Sequence, residues 1–135
     1  MKAFAKPPVA LGFAACFFCG LLCTHLDEVT AAPLGLAGDV LAGVALLVGG
    51  VLSGRDWERG RQYQLAGWSF MASLLFHSVL GNLSGILGHA TEGSGSTGIV
   101  ALSPVAYMTI ESALLILSFA GLWTTLTTPA EVVRG

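Results

Sequence analysis

Residues 65–89 of the chain read L-A-G-W-S-F-M-A-S-L-L-F-H-S-V-L-G-N-L-S-G-I-L-G-H. It contains no Asp, Glu, Lys or Arg. A helix crosses the apolar core of a bilayer with about 20 residues, each of which rises about 1.5 Å along the axis. The stretch is long enough and apolar enough to do so, and it therefore predicts one membrane-spanning helix.

Small and polar residues recur at every fourth position of this stretch: Ser69, Ser73, His77, Gly81, Gly85 and His89. This spacing places them on one ridge of a helix. Ridges of small residues in membrane helices lie against neighbouring helices, because they let two backbones approach closely. We therefore predict that this ridge packs against a partner helix, while the large apolar residues face lipid or the core.

The composition of the whole chain supports a membrane protein. The 135 residues are 54% hydrophobic and only 10% charged, with a mean hydropathy of +0.77. Soluble domains carry about 25% charged residues, and the apolar residues here fall in long uncharged runs. No basic patch or basic-aromatic pattern indicates a nucleic acid as a partner. The lipid bilayer is the first partner that the sequence predicts.

Four apolar runs fill nearly the whole chain, so we predict an all-α integral membrane protein, an antiparallel bundle of four transmembrane helices. It forms a single domain over residues 1–135, with spans at about 9–26, 34–52, 65–88 and 104–126. Ser103 and Pro104 form an N-cap and first-position pair that predicts the start of the last helix. A cleaved signal peptide at the first run, with the cut near residues 29–31, is the alternative.

The basic residues set the orientation, because cytoplasmic loops of membrane proteins are enriched in Lys and Arg. In a four-span arrangement all of them fall on one side: Lys2, Lys6, Arg55, Arg59, Arg61 and Arg134. The two loops on the other side carry Asp27, Glu28 and Glu92 and no Lys or Arg. We therefore predict a multi-pass protein of the inner cell membrane with both termini in the cytoplasm.

Polar side chains inside the predicted spans form a candidate site. Counted from the outer ends of the spans, Asp39, Asn82 and Glu111 lie about 10 Å deep, and His77 lies deeper. A charge at the bilayer centre costs about 2.5–3.5 kcal/mol, which favours inward-facing positions. We predict one intramembrane polar cluster made of Asp39, His77, Asn82, Glu111 and, one turn before Glu111, Tyr107.

Two interpretations of this cluster stay open. In the first it only holds the helices together, at about 0.6–2 kcal/mol for each hydrogen bond. In the second, Glu111 and His77 relay a proton, since a carboxyl beside an imidazole can pass one on. For Asp39 alone, a simple charge in the first turn of a helix is the favoured account. Eight small residues are further predicted to pack helices together: Gly12, Gly20, Gly35, Gly43, Ser69, Ser73, Gly81 and Gly85.

Cys16, Cys19 and Cys23 share one face of the first helix through their spacing of three and seven residues. Three thiolates can hold a soft ion such as Cu(I), which makes them weak metal candidates. Membrane thiol oxidoreductases resemble this chain in having four spans and a C-x-x-C pair. The pair here lies well inside the helix and lacks a second pair, so we favour packing as small apolar residues and predict no cofactor.

No nucleotide-binding, hydrolase, metalloprotease or haem motif occurs, and we predict that the protein is not an enzyme. The plan of a short four-span chain with small-residue ridges resembles that of some phage holins and of accessory subunits of membrane complexes. The leading hypothesis is a holin-like pore former that associates with its own copies. The alternatives are a non-catalytic accessory subunit of a larger membrane complex and a small proton-coupled transporter that uses Glu111 and His77.

Overall fold

The computed structural model of the chain describes residues 7–24, 36–87 and 102–129. These residues form four helices: α1 (Pro7–Thr24), α2 (Ala37–Ser53), α3 (Trp57–Ile86) and α4 (Pro104–Thr127). The predicted all-α class is thereby confirmed. The predicted packing residue Gly35, the predicted cleavage site and the basic residues Lys2, Lys6 and Arg134 lie outside the described residues.

Two of the helices are long and apolar enough to cross a membrane. α3 has 30 residues and α4 has 24, which at 1.5 Å per residue corresponds to about 45 and 36 Å. α1 and α2 are apolar but shorter, with 18 and 17 residues. The structure therefore supports membrane association through α3 and α4 by length and composition.

α3 begins earlier than the predicted span, at Trp57 instead of residue 65. Asp56 is its N-cap, and the Asp56 carboxylate accepts a hydrogen bond of 3.4 Å from the Arg59 backbone N–H. Glu58 in the first turn adds a charge that the helix N-terminus favours. Residues 57–64, which lie between the predicted second and third spans, therefore form the first two turns of α3.

The start of α4 agrees with the sequence analysis. Ser103 caps the helix, with its side-chain oxygen accepting a hydrogen bond of 3.3 Å from the Ala106 backbone N–H. Pro104 follows at the first helical position, where a missing backbone N–H costs nothing. The helix ends at Thr127, one residue beyond the predicted end of the fourth span.

Each helix packs chiefly on its neighbours in the chain and runs antiparallel to them. Leu11, near the start of α1, lies beside Gly50, near the end of α2. Arg61, near the start of α3, binds Leu126 at the end of α4. The start of α1, the end of α2, the start of α3 and the end of α4 therefore meet at one end of the bundle. We call it the basic end, because Arg55, Arg59 and Arg61 lie there.

α2 and α3 approach each other at backbone distance, and three glycines allow it. A Cβ atom on Gly49 would lie 2.6 Å from the Gln64 backbone nitrogen, and one on Gly67 would lie 2.8 Å from that of Leu46. A Cβ on Gly60 would overlap the Ser53 backbone. Because a backbone cannot move aside as a flexible side chain can, these positions require glycine.

Other glycines receive large side chains from the neighbouring helix. A Cβ on Gly121 of α4 would lie 2.5 Å from the Trp68 ring, and one on Gly43 of α2 would lie 2.5 Å from the Phe18 ring. The Phe13 ring packs edge-on against Trp68, with 4.9 Å between the ring centroids. The apolar core around these contacts consists of Ala10, Ala14, Phe17, Ala42, Leu46, Trp68, Met71 and Leu75.

Replacement of Gly60 by alanine tests the backbone contact. We expect Gly60→Ala to lower the free energy of unfolding by about 1–3 kcal/mol, the cost of overpacking a tight interface. Gly81→Ala is the matched control on the same helix, since nothing lies within 4 Å of its Cβ, and it should leave stability unchanged or raised. Thermal unfolding in detergent measures both, and equal melting temperatures for the two variants would contradict the contact.

Candidate functional site

The ridge of small and polar residues on α3 lies on the outside of the bundle. Ser69, Ser73, His77 and Gly81 are all exposed, and a Cβ on Gly81 would meet open space. The buried face of α3 is instead made of Trp57, Gly60, Gln64, Gly67, Trp68, Met71, Ala72, Leu75 and Asn82. Within the described chain the ridge therefore packs against no other helix, and its contact with a neighbouring molecule stays a prediction.

The other predicted packing residues divide in the same way. Gly43 is buried against Phe18, while Gly12 and Gly20 on α1 are exposed, with open space where a Cβ would stand. Gly85 is half-buried. Small residues on this chain thus serve two different surfaces, one inside the bundle and one outside it.

Glu111 on α4 is the buried carboxylate of the candidate site, with only 5% of its surface exposed. Its Oε1 accepts a hydrogen bond of 2.5 Å from the Ser78 hydroxyl, and its Oε2 accepts one of 2.8 Å from Asn82 Nδ2. Ser78 and Asn82 are one helical turn apart on α3 and so present their side chains to α4 together. Both carboxylate oxygens thereby have a donor, as buried polar groups require.

The structure brings together two members of the predicted cluster, Asn82 and Glu111, and adds Ser78, which sequence reasoning missed. His77, the neighbour of Ser78, is exposed and lies outside this group. The geometry therefore does not join His77 to Glu111 as a proton relay would need. Ser78 could have been predicted from its spacing of four residues from Asn82, which places both side chains on one face of a helix.

Asp39 and Tyr107 are half-buried at the same end of the bundle as Glu111. Asp39 lies in the first turn of α2, where the helix N-terminus favours a negative charge. This turn packs beside α3, because a Cβ on Gly38 would lie 3.2 Å from Leu74 Cδ2. Tyr107 precedes Glu111 by one turn of α4.

A second polar network, absent from the sequence predictions, ties three helices together at the basic end. Gln64 of α3 is fully buried; its Nε2 donates to Ser53 Oγ of α2 over 2.9 Å. The Ser53 hydroxyl donates to the Gly49 carbonyl at 2.7 Å. The Thr125 hydroxyl of α4 donates to Gln64 Oε1 at 3.4 Å. The buried polar groups of Ser53, Gln64 and Thr125 therefore take part in one connected set of hydrogen bonds.

Arg61 completes this network by capping α4. Its Nε donates to the Thr125 carbonyl over 3.1 Å and its Nη2 to the Leu126 carbonyl over 2.8 Å. The last carbonyls of a helix have no partner within the helix, and a positive charge there is favourable. The sequence predictions placed neither Arg61 nor Gln64 in a helix, because both fall between the predicted second and third spans.

The three cysteines of α1 are exposed free thiols. Among residues 7–24, 36–87 and 102–129, no three His, Cys, Asp or Glu side chains lie close enough together to hold a metal ion. The geometry of the described chain therefore lends no support to Cys16, Cys19 and Cys23 as ligands within one molecule.

No family model, curated protein or solved structure gives a significant match to this chain. Its function therefore has to be inferred from the arrangement of its own residues.

Substitution of Ser78 tests the Glu111 site. Ser78→Ala should lower the free energy of unfolding by about 1–3 kcal/mol, because it leaves a buried carboxylate oxygen without its donor. His77→Ala, the control at the adjacent position, should change stability much less because His77 is exposed. Thermal unfolding in detergent compares the two. If His77→Ala lowered the free energy of unfolding more than Ser78→Ala, the assignment of Ser78 to the site would be wrong.

Proposed function

We propose that this protein is a multi-pass membrane protein that acts through helix–helix assembly, most concretely as a holin-like pore former that associates with its own copies. The observation that carries this proposal is the exposed ridge of Ser69, Ser73, His77 and Gly81 on α3. The ridge extends over 13 residues, or about 18 Å of helix. Its polar groups are poorly suited to lipid.

The exposed surfaces of α2 and α4 differ from this ridge in composition. α2 and α4 expose mainly large apolar side chains, such as Val44, Val51, Ile116, Phe119 and Trp123, which suit a lipid environment. A polar or ionisable side chain in the hydrocarbon region instead faces another helix or water. The ridge therefore favours either a contact between molecules or the lining of a water-filled pore.

A second copy of the chain is a suitable neighbour for the ridge. The buried face of α3 is occupied by α2 and α4, and none of the four described helices covers the exposed side. Small residues let two such ridges approach closely, and hydroxyl groups can form hydrogen bonds between helices. When several copies assemble with these ridges inward, hydroxyl and imidazole groups would line the space between them.

The internal polar groups favour assembly over a transport mechanism within one chain. Glu111 already accepts hydrogen bonds from Ser78 and Asn82, and Gln64 forms a hydrogen bond between helices at the basic end. Both groups link helices of the same bundle. A proton-coupled transporter that uses Glu111 and His77 finds no support in this geometry, because Glu111 of α4 is bonded to Ser78 and Asn82 while His77 is exposed on the surface of α3.

The proposed topology has four spans, with both termini in the cytoplasm and the protein in the inner cell membrane. α1 and α2 are about 27 and 26 Å long, close to the roughly 30 Å of a bilayer core. Their alternating directions and the gathering of Arg55, Arg59 and Arg61 at one end support this topology, since cytoplasmic loops are enriched in arginine.

Reporter fusions test the topology. A reporter that is active only outside the cytoplasm should be active when fused after Gly95 and inactive when fused after Gly135. The reverse pattern would invert the orientation. Activity at both positions would support a cleaved first segment with three remaining spans.

Replacement of a ridge residue tests the assembly. Ser73→Phe should lower the rate at which induced expression depolarises the inner membrane by about tenfold or more, which is the effect of about 1.4 kcal/mol lost at an interface. Its melting temperature should stay unchanged, because Ser73 is exposed in the single chain. Leu117→Phe, at an exposed position of α4, is the matched control and should depolarise like the natural sequence.

Two results would count against the pore. Cells that stay polarised at high expression of the natural sequence would rule out permeabilisation. A larger protein that copurifies in stoichiometric amount in mild detergent would favour the accessory-subunit alternative, whereas an oligomer of this chain alone favours self-association.

A further inference from the structure

His77 is an ionisable residue on the outside of the bundle, near the middle of the apolar part of α3. This part runs from Leu65 to Ile86 and contains no Asp, Glu, Lys or Arg. At 1.5 Å per residue, His77 lies about 18 Å from Leu65 and about 14 Å from Ile86 along the helix axis. Because α3 is long and apolar enough to cross a membrane, the exposed imidazole would stand deep in the hydrocarbon region. An ionisable side chain at that depth faces another helix or water.

The neighbours of His77 on the ridge are small. Ser73 lies one turn before it and Gly81 one turn after it, and both are exposed. A Cβ on Gly81 would have nothing within 4 Å. A neighbouring molecule can therefore approach the imidazole closely, and His77 is the one residue of the ridge that carries a nitrogen ligand.

Insertion in a membrane restricts how copies of this chain can associate. Copies with the same topology cross the bilayer in the same direction, so a symmetry axis that relates them lies parallel to the membrane normal. Rotation about such an axis does not change depth. The His77 residues of all copies therefore lie in one layer, and they meet at the axis when the ridges face inward.

The chemistry of such a layer is that of a metal site. Imidazole nitrogen is a common ligand of Zn²⁺, Cu²⁺ and Ni²⁺ in proteins, and Zn²⁺ completes a four-coordinate shell with water where protein ligands are missing. Within one chain, no three His, Cys, Asp or Glu side chains of the described residues lie close enough to hold a metal ion. The carboxylate of Glu111 is occupied by Ser78 and Asn82. An ion at His77 therefore needs imidazole groups from more than one copy.

We propose that the His77 residues of associated copies form a shared site for a divalent transition-metal ion such as Zn²⁺, and that the bound ion blocks the space between the copies. This proposal rests on the proposed pore and on its assembly through the ridge. An ion held by imidazole groups of two or more copies joins them across the axis, where it obstructs the path. The site is incomplete in a single chain, so binding of the ion requires assembly.

Inhibition of ion flux by zinc tests the site in liposomes that contain the full-length chain. The other thiols and imidazole groups are first removed: Cys16, Cys19 and Cys23 are replaced by alanine, and His25 and His89 by glutamine. The matched control adds His77→Gln, whose neutral amide is of similar size and is a poor ligand for zinc. A voltage-sensitive dye follows the collapse of a potassium diffusion potential before and after addition of ZnCl₂.

The variant that retains His77 should lose its flux when Zn²⁺ is added and regain it when EDTA removes the ion. His77→Gln should need a Zn²⁺ concentration higher by about tenfold or more for the same inhibition. Mg²⁺, which prefers oxygen ligands, should leave the flux of both variants unchanged. Equal inhibition of the two variants by Zn²⁺, or inhibition of neither, would overturn the proposal.

Zinc binding in detergent gives a readout that does not depend on flux. A shared site predicts saturation at about one Zn²⁺ for every two or more chains, with binding lost in His77→Gln. Light scattering on the same sample gives its mass. Saturation at one Zn²⁺ per chain, or binding of Zn²⁺ by a monomer, would overturn a site shared between copies.

The failure of the metal site and the failure of the pore give different results. Flux that is insensitive to Zn²⁺ overturns the metal site and leaves the proposed pore intact. Absence of flux in the natural sequence overturns the pore and the site with it. If His77→Gln lowers the melting temperature, His77→Ala replaces it, with the same expected loss of zinc inhibition.

Discussion

The backbone contact between α2 and α3 is the constraint on which the rest of the structure depends. Gly49, Gly60 and Gly67 bring the two helices so close that no side chain fits between them at these points. This closeness allows the amide of Gln64 on α3 to reach the Ser53 hydroxyl on α2. A polar network at the basic end is therefore a consequence of glycine placement and would be out of reach with larger residues there.

The position of α4 follows from the same contact. α3 presents Trp68 to Gly121, and it presents polar groups to α4 on both sides of that ring, at Gln64 and at Ser78. These two residues lie about 21 Å apart along the helix. A shift of α4 by one turn would separate Thr125 from Gln64 and Glu111 from its donors at the same time. The polar groups thus fix the register of α4, while the apolar middle supplies the packing area.

The sequence was sufficient for the helical class and for the start of α4 at Ser103 and Pro104. The sequence was insufficient to predict which face of α3 is buried in the bundle. Small residues favour close approach of a helix without indicating which helix approaches. The ridge through His77 and the ridge through Ser78 are adjacent, and the choice between them depends on how Trp68 fits against Gly121. That fit involves residues more than 50 positions apart, which periodicity in one segment cannot reveal.

The division of small residues between two surfaces connects the fold with the proposed assembly. Inside the bundle, the small residues at closest approach are glycines opposite backbone or aromatic rings, where even one methyl group is too large. The outer ridge of α3 instead carries two serines and a histidine beside Gly81, and its hydroxyl and imidazole groups can form hydrogen bonds to another helix or to water. Glycines thus allow close packing inside the bundle, whereas hydrogen-bonding side chains lie on its outer surface. A membrane protein with this arrangement can fold as one chain first and associate through a chemically different surface afterwards.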